Sequence, residues 1–274
     1  MSDIEELERQ VTKFWEQRDA LDRTAAVPVV HAVVDALDRG DVRVAEVVDD
    51  EVVVHQWLKQ AILLLFRLRD MEEFEVGPFE YHDKIPLKTD YATSKVRVVP
   101  GASARWGSYL APGVILMPSY VNIGAHVGAD TMVDTWATVG SCAQIGERVH
   151  LSGGVGIGGV LEPPQAAPVI VEDDVTIGSR CMVTQGARVR RGSVLGEGVI
   201  LNPGIPVIDA QTGDEVSRGD VPASCIVVQA SRKKEFAGGE FGLPCALIIK
   251  RLEAGERHDK AKLNELLREH GVAT

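Results

Sequence analysis

From about Tyr109 to Val207 an apolar residue returns at every sixth position. One unbroken series runs Tyr109, Ile115, Val121, Val127, Val133, Val139, Ile145, Leu151 and Ile157, and a second runs Val171, Ile177, Val183, Val189, Leu195, Leu201 and Val207. The residue after each aliphatic is often glycine or small and polar, as at Gly128, Gly140, Gly146 and Ser152. Four places after it comes a small or β-branched residue, as at Thr131, Ala137, Val149 and Cys181. Each six residues therefore make a short strand and a corner, with the aliphatic pointing inward and the small residue fitting beneath the next turn. Three such units close a triangular coil, and coils stack because none can bury its apolar side alone. Sixteen in-phase positions argue against the buried strands of an ordinary sandwich, and all sixteen are expected to face the interior.

Ahead of the repeats the spacing changes to that of helices. Residues 2–21 carry Ile4, Leu7, Val11, Phe14, Trp15 and Leu21 near helical spacing, and Pro28 suits the first turn of a second helix ending at Gly40. His55 to Arg69 reads as a third, strongly apolar helix, and Gly77, Pro78 and Pro86 rule out a long element across residues 72–98. The organisation expected is an N-terminal helical domain over residues 1–98, the coil over 99–228 and a C-terminal extension over 229–274. Within the extension, residues 230–240 read as a loop, Cys245 to Arg251 as a strand and Lys260 to His270 as a terminal helix. Ile157 and Val171 are 14 residues apart, which is not a multiple of six. The intervening LEPPQAAP, residues 161–168, must loop outward, where such segments reach a neighbouring subunit or cover a site.

At 274 residues and 45% hydrophobic content the chain has ample core, and its net charge of −11 argues against nucleic acid and anionic membranes as partners. The start lacks the basic-then-apolar layout of a signal peptide, and no run reaches the ~18 apolar residues a bilayer span needs. A cytoplasmic location is the expectation. Cys142, Cys181, Cys225 and Cys245 form no CxxC pair and are expected to be buried thiols. His126 and His150 are the only histidines in the coil, short of a three-histidine zinc site, so no metal is expected; a histidine base is an alternative, but His150 precedes the inward Leu151 and reads equally as a surface residue, so neither is the first choice.

Proteins with this repeat resemble left-handed parallel β-helices, most of them trimeric acyltransferases, and that resemblance gives the remaining polar residues a context. Asp134 follows Val133 at a corner where neighbouring corners have Gly128 and Gly140, so its carboxylate should project outward. It is either a solvated charge or, in an intersubunit cleft, a proton acceptor or ammonium anchor. GGVGIGG at 153–159 satisfies GxGxxG, but Ile157 is in repeat phase and Pro163 and Pro164 come soon after, so it is not a dinucleotide fingerprint. Gly154 and Gly156 read instead as corners that a ligand backbone approaches. Two basic groups stand against the acidic background, Arg188, Arg190 and Arg191, then Arg232, Lys233 and Lys234. Coenzyme A phosphates need such partners, and Arg232 and Lys233 are the candidates for the nucleotide end.

Three central motifs, MPSYVNIGA at 117–125, MVDTWATVGSCAQIG at 132–146 and HLSGGVGIGGVLEP at 150–163, resemble one family closely. RVAE at 43–46, HQWLK at 55–59, RVVPGA at 97–102 and PCALII at 244–249 extend the likeness over nearly the whole chain. The family is tetrahydrodipicolinate N-succinyltransferase, the succinyl-CoA-dependent acyltransferase of diaminopimelate and lysine biosynthesis. The resemblance implies a homotrimer with active sites between neighbouring coils, succinyl-CoA as co-substrate, a small dicarboxylate acceptor, Asp134 in substrate binding and catalysis, and Arg97 in substrate binding. Where some members carry a catalytic glutamate, IGSRCMVTQG places Met182. An N-acetyltransferase of the same pathway using acetyl-CoA and a noncatalytic trimeric scaffold remain alternatives, because spacing alone does not identify the acyl donor.

Overall fold

The computed structural model describes residues 3–253 and residue 268. Helix α1 (Asp3–Glu16), α2 (Arg23–Arg39) and α3 (Gln56–Leu68) form the N-terminal layer. The second helix begins ahead of the sequence expectation because Asp22 caps it, its carboxylate accepting from the amides of Thr24 and Ala25. Pro28 thus lies inside the helix rather than at its start, and Gly40, at φ 78°, ends it as expected. The expected terminal helix at Lys260 to His270 lies outside the described residues, Arg268 apart.

From Arg97 the chain winds into a left-handed parallel β-helix with three faces. Face 1 stacks Arg97–Val98, Ile115–Leu116, Met132–Val133, His150–Leu151, Thr176–Ile177 and Val194–Leu195. Face 2 stacks Ser103–Ala104, Tyr120–Val121, Thr138–Val139, Gly156–Ile157, Met182–Val183 and Ile200–Leu201. Face 3 stacks Tyr109–Leu110, His126–Val127, Gln144–Ile145, Ile170–Val171, Arg188–Val189 and Asp220–Val221. The second residue of each pair points inward, and from Ala104 through Val221 these are buried in one continuous core.

Two of the sixteen expected inward positions are wrong. Tyr109 and Ile115 face outward and are only partly buried, while Leu110 and Leu116 fill the core at 2% and 0% exposure. The cause is one short side: Leu116 to Val121 is five residues instead of six, so the phase that holds from Val121 onward is one residue early before it. The other fourteen are buried. The 14-residue interval after Ile157 is one normal side plus the eight residues 161–168, so register resumes at Val171.

That outward segment rests on its own helical layer. Lys59 of α3, with no exposed surface, donates from Nζ to the carbonyls of Pro163 (3.2 Å) and Ala166 (2.8 Å), and Leu161 joins the helical core. The same core takes in Ile123 and Cys142 from the corners between faces 2 and 3. Added Cβ atoms on Gly107 and Gly124 would strike Val34 and Ile62, at 2.8 Å in each case. The helices therefore cover that edge of the prism.

The two ends of the coil are also closed. Residues 225–251, expected in part as a loop, form a long hairpin, Cys225–Phe236 against Gly239–Arg251, whose first strand adds to face 1 through Val194↔Ile226 and Leu195↔Val227. At the opposite end Leu87 bridges antiparallel to Arg105, the Lys88 amide donates to the Ala104 carbonyl, and Tyr91 packs against the last layer of the core.

Candidate active site

The three edges of the prism differ in what the sequence puts on them. The edge between faces 2 and 3 is under the helices. The edge between faces 3 and 1 is laced with ion pairs: Arg148 to Glu147 (2.7 Å) and Asp174 (3.0 Å), and Arg191 to Asp173 (2.8 Å). The edge between faces 1 and 2 carries Asp134, Trp136, Gly154 and Arg180 at successive corners.

Asp134 turns the corner after Val133, as the six-residue phase dictates, with its side chain 31% exposed. Its Oδ1 accepts from the Thr135 amide at 2.6 Å and from Thr135 Oγ1 at 3.2 Å, which fixes the carboxylate against its own turn. Oδ2 faces His150 Nε2 at 3.9 Å. The imidazole stands there because one coil is 18 residues, so His150 lies on the strand directly above Met132. Sequence reasoning passes over His150 by weighing only its neighbour Leu151; the 18-residue period is the signal that places it beside Asp134. Trp136 comes next at φ 60° with 73% of its surface exposed, a large apolar side chain left in the open beside a carboxylate.

Arg97 occupies face 1 two strands below Met132, about 10 Å at the usual ~4.8 Å per strand. Its side chain is exposed and makes no ion pair among the described residues. Gly154, at φ 71°, donates its amide to the Thr135 carbonyl, and Gly156 lies beneath the thioether of Met182. A side chain added at Gly154 would meet Arg180 Cδ at 2.8 Å, and one at Gly156 would meet Met182 Sδ at 2.5 Å. Gly153 has the open space instead: only the Thr135 carbonyl comes near its missing Cβ, at 3.6 Å, and no backbone carbonyl among the described residues takes its amide.

The basic groups are engaged by carboxylates, except Lys234, whose ammonium lies over the Phe236 ring. Arg188, nearly buried, reaches Glu172 (2.6 Å) and Asp50 (2.9 Å), and Arg190 joins Asp50 (2.6 Å) to Asp220 (2.9 Å). This network pins the turn between strands Ala45–Val48 and Glu51–Val54 to face 3, and the Arg190 contact chiefly holds the Asp50 carboxyl below its ordinary range. Arg232 pairs with Glu215 (3.4 Å) and Lys233 with Glu240 (2.7 Å); both basic residues lie on the long hairpin, several strands above Asp134. All four cysteines are buried thiols, and burial pushes Cys142 up to about 12 and Cys181 up to about 11. His126, on face 3 against Tyr109, is held down to about 3 by burial and then by Arg43. The cleft of about 690 Å³ among Arg39, Arg69, Lys88 and Trp106 lies against α2 and does not include Asp134.

The family described as tetrahydrodipicolinate N-succinyltransferase N-terminal matches residues 6–68, and the hexapeptide repeat of succinyl-transferase matches residues 168–203. Among similar curated proteins, the 2,3,4,5-tetrahydropyridine-2,6-dicarboxylate N-succinyltransferase of Paramagnetospirillum magneticum is 48% identical, covering 96% of this chain and 98% of its own. Those of Chelativorans sp. and Sodalis glossinidius are 47% and 46% identical, covering 98% and 97% of this chain and 99% of theirs. A three-sided coil with one edge left open at Asp134, and likeness of this depth over nearly every residue, place the chain in the tetrahydrodipicolinate N-succinyltransferase family.

Proposed function

We propose that this protein transfers the succinyl group of succinyl-CoA to the amino group of ring-opened tetrahydrodipicolinate, giving N-succinyl-2-amino-6-oxopimelate and CoA, the reaction of its family in lysine and diaminopimelate biosynthesis. The observation that carries it is the edge between faces 1 and 2, where an anchored carboxylate and an open glycine amide lie on a rigid coil, with Arg97, which makes no ion pair among the described residues, two strands below Met132 on face 1.

The acceptor is a dicarboxylate, so a guanidinium must meet it, and Arg97 has its donors uncommitted among the described residues. The amine attacks the thioester carbonyl only after losing a proton, and Asp134 is the acceptor, its Oδ1 held by Thr135 while Oδ2 faces outward. The carbonyl oxygen gains charge as the tetrahedral intermediate forms, and the Gly153 amide, which no backbone carbonyl among the described residues takes, is the donor for it. The amine displaces the thiol directly, so no covalent enzyme intermediate is required. Trp136 offers an apolar wall for the acyl chain or the pantetheine arm. The site is completed in a homotrimer, where the open edge of one coil faces its neighbour, and Arg232 and Lys233 exchange their carboxylate partners for CoA phosphates.

The test is release of free thiol from succinyl-CoA and from acetyl-CoA in the presence of the acceptor. Turnover on succinyl-CoA is expected; preference for acetyl-CoA would reassign the donor, and consumption of neither would leave the noncatalytic scaffold. Sedimentation of the purified protein tests the trimer, and a stable monomer would refute an intersubunit site.

A further inference from the structure

An ammonium that ends as a secondary amide gives up two protons, one before it attacks and one after. Asp134 can hold one at a time. Position 182, two strands above Thr138 on face 2, holds a thioether that accepts no proton. Among the described residues, the titratable side chain that faces Asp134 at ion-pair distance is His150, on the neighbouring strand of face 1. Its Nε2 lies 3.9 Å from Oδ2, the carboxylate oxygen that Thr135 does not occupy. The two side chains are 42% and 31% exposed, so both remain open to a substrate at this corner. Their separation is beyond a direct hydrogen bond, and catalytic contacts of this kind commonly tighten when substrate binds.

We propose that His150 is the positioning and relay partner of Asp134 in the transfer reaction proposed above. The first proton passes from the substrate ammonium to Asp134 Oδ2 and on to His150 Nε2, which leaves the carboxylate anionic again. The nitrogen lone pair then forms the C–N bond as the carbonyl π pair moves to oxygen. When the carbonyl re-forms, the C–S bond breaks and its electron pair leaves on sulfur. Asp134 takes the second nitrogen proton and passes it to the thiolate, while His150 returns the first to solvent, so the cycle releases one proton and one thiol. His150 never touches the acyl group; it resets Asp134 between the two transfers and holds Oδ2 in place.

His150→Gln keeps polar contact with Asp134 but cannot relay. It is expected to lower kcat by about tenfold or more while the KM values for both substrates stay within about twofold. His150→Ala leaves room for imidazole, and added imidazole should raise its rate in a concentration-dependent way, with no effect on Asp134→Asn. Unchanged kcat in His150→Gln, or a loss in His150→Ala that imidazole does not restore although the circular dichroism of the coil is intact, overturns the relay. Should the unmodified protein turn over acetyl-CoA and not succinyl-CoA, the donor assignment fails instead, and the same comparison on acetyl-CoA decides the role of His150.

Discussion

Asp134→Asn separates the chemistry of this carboxylate from its structural work. Oδ1 is spent on the Thr135 amide and hydroxyl, and an asparagine oxygen in the same place keeps both bonds. Stability should therefore change by no more than about 0.5 kcal/mol, as for a surface change that spares its local contacts. Asp134→Ala loses that local cap and should cost about 1 kcal/mol. Activity divides the two variants differently. An amide accepts no proton at neutral pH, so both lose the base, whose contribution is of order 10²–10⁴ in rate. At 1.36 kcal/mol per tenfold this is about 3–5 kcal/mol of barrier, several times the largest stability effect. The assay is thiol release under saturating donor, run beside urea unfolding of the same samples. An Asp134→Asn protein with wild-type kcat refutes the base assignment, and one that unfolds far more easily than Asp134→Ala refutes the account of the turn.

Three further outcomes test the rest of the molecule. Leu116→Ala should destabilise by about 3–5 kcal/mol in urea titration, while Ile115→Ala, one residue away, should cost far less because its side chain faces outward. Lys59→Met removes two hydrogen bonds to the 161–168 segment while relieving a buried ammonium, so the net loss should stay near 1–2 kcal/mol; hydrogen exchange and proteolysis should nevertheless rise within 161–168, and an unchanged segment would show that Lys59 does not hold it. His126 binds a proton near 6.5 when unfolded and only near about 3 when folded, so its neutral burial is fully favourable above that unfolded value and is progressively lost as pH falls toward the folded one; His126→Gln should flatten the fall of unfolding free energy between neutral pH and the folded value, and an identical slope in both proteins would count against a buried neutral imidazole.

Much of the fold was legible because the six-residue period is long and repeated, and each inward aliphatic must fill the same kind of space. The errors fall where local chemistry interrupts that period. The short side after Leu116 shifts the phase by one, and no single residue announces it. The hairpin strands 225–236 and 239–251 are largely solvent-facing in their outer halves, so no apolar alternation marks them, and their Gly238 and Gly239 point to a loop. Asp22 caps a helix that Pro28, taken alone, would start several residues later. At the site, Asp134 was visible as a charge among glycine corners. His150 was weighed and set aside, because its nearness to Asp134 comes from the strand below rather than from its own neighbours. The basic triplet 188–191 shows the converse: conspicuous in sequence, its Arg188 and Arg190 are spent on fastening the 45–54 turn to the coil and its Arg191 on Asp173.

A stack of parallel strands has two exposed rows of backbone donors and acceptors, and each is a template on which another such stack could grow. Here the 225–251 hairpin takes the face 1 row at one end, and Leu87 and Lys88 bond to the face 2 row at the other, so the prism has a beginning and an end. That closure gives a solenoid used as an enzyme scaffold a fixed length instead of letting it elongate into a fibre.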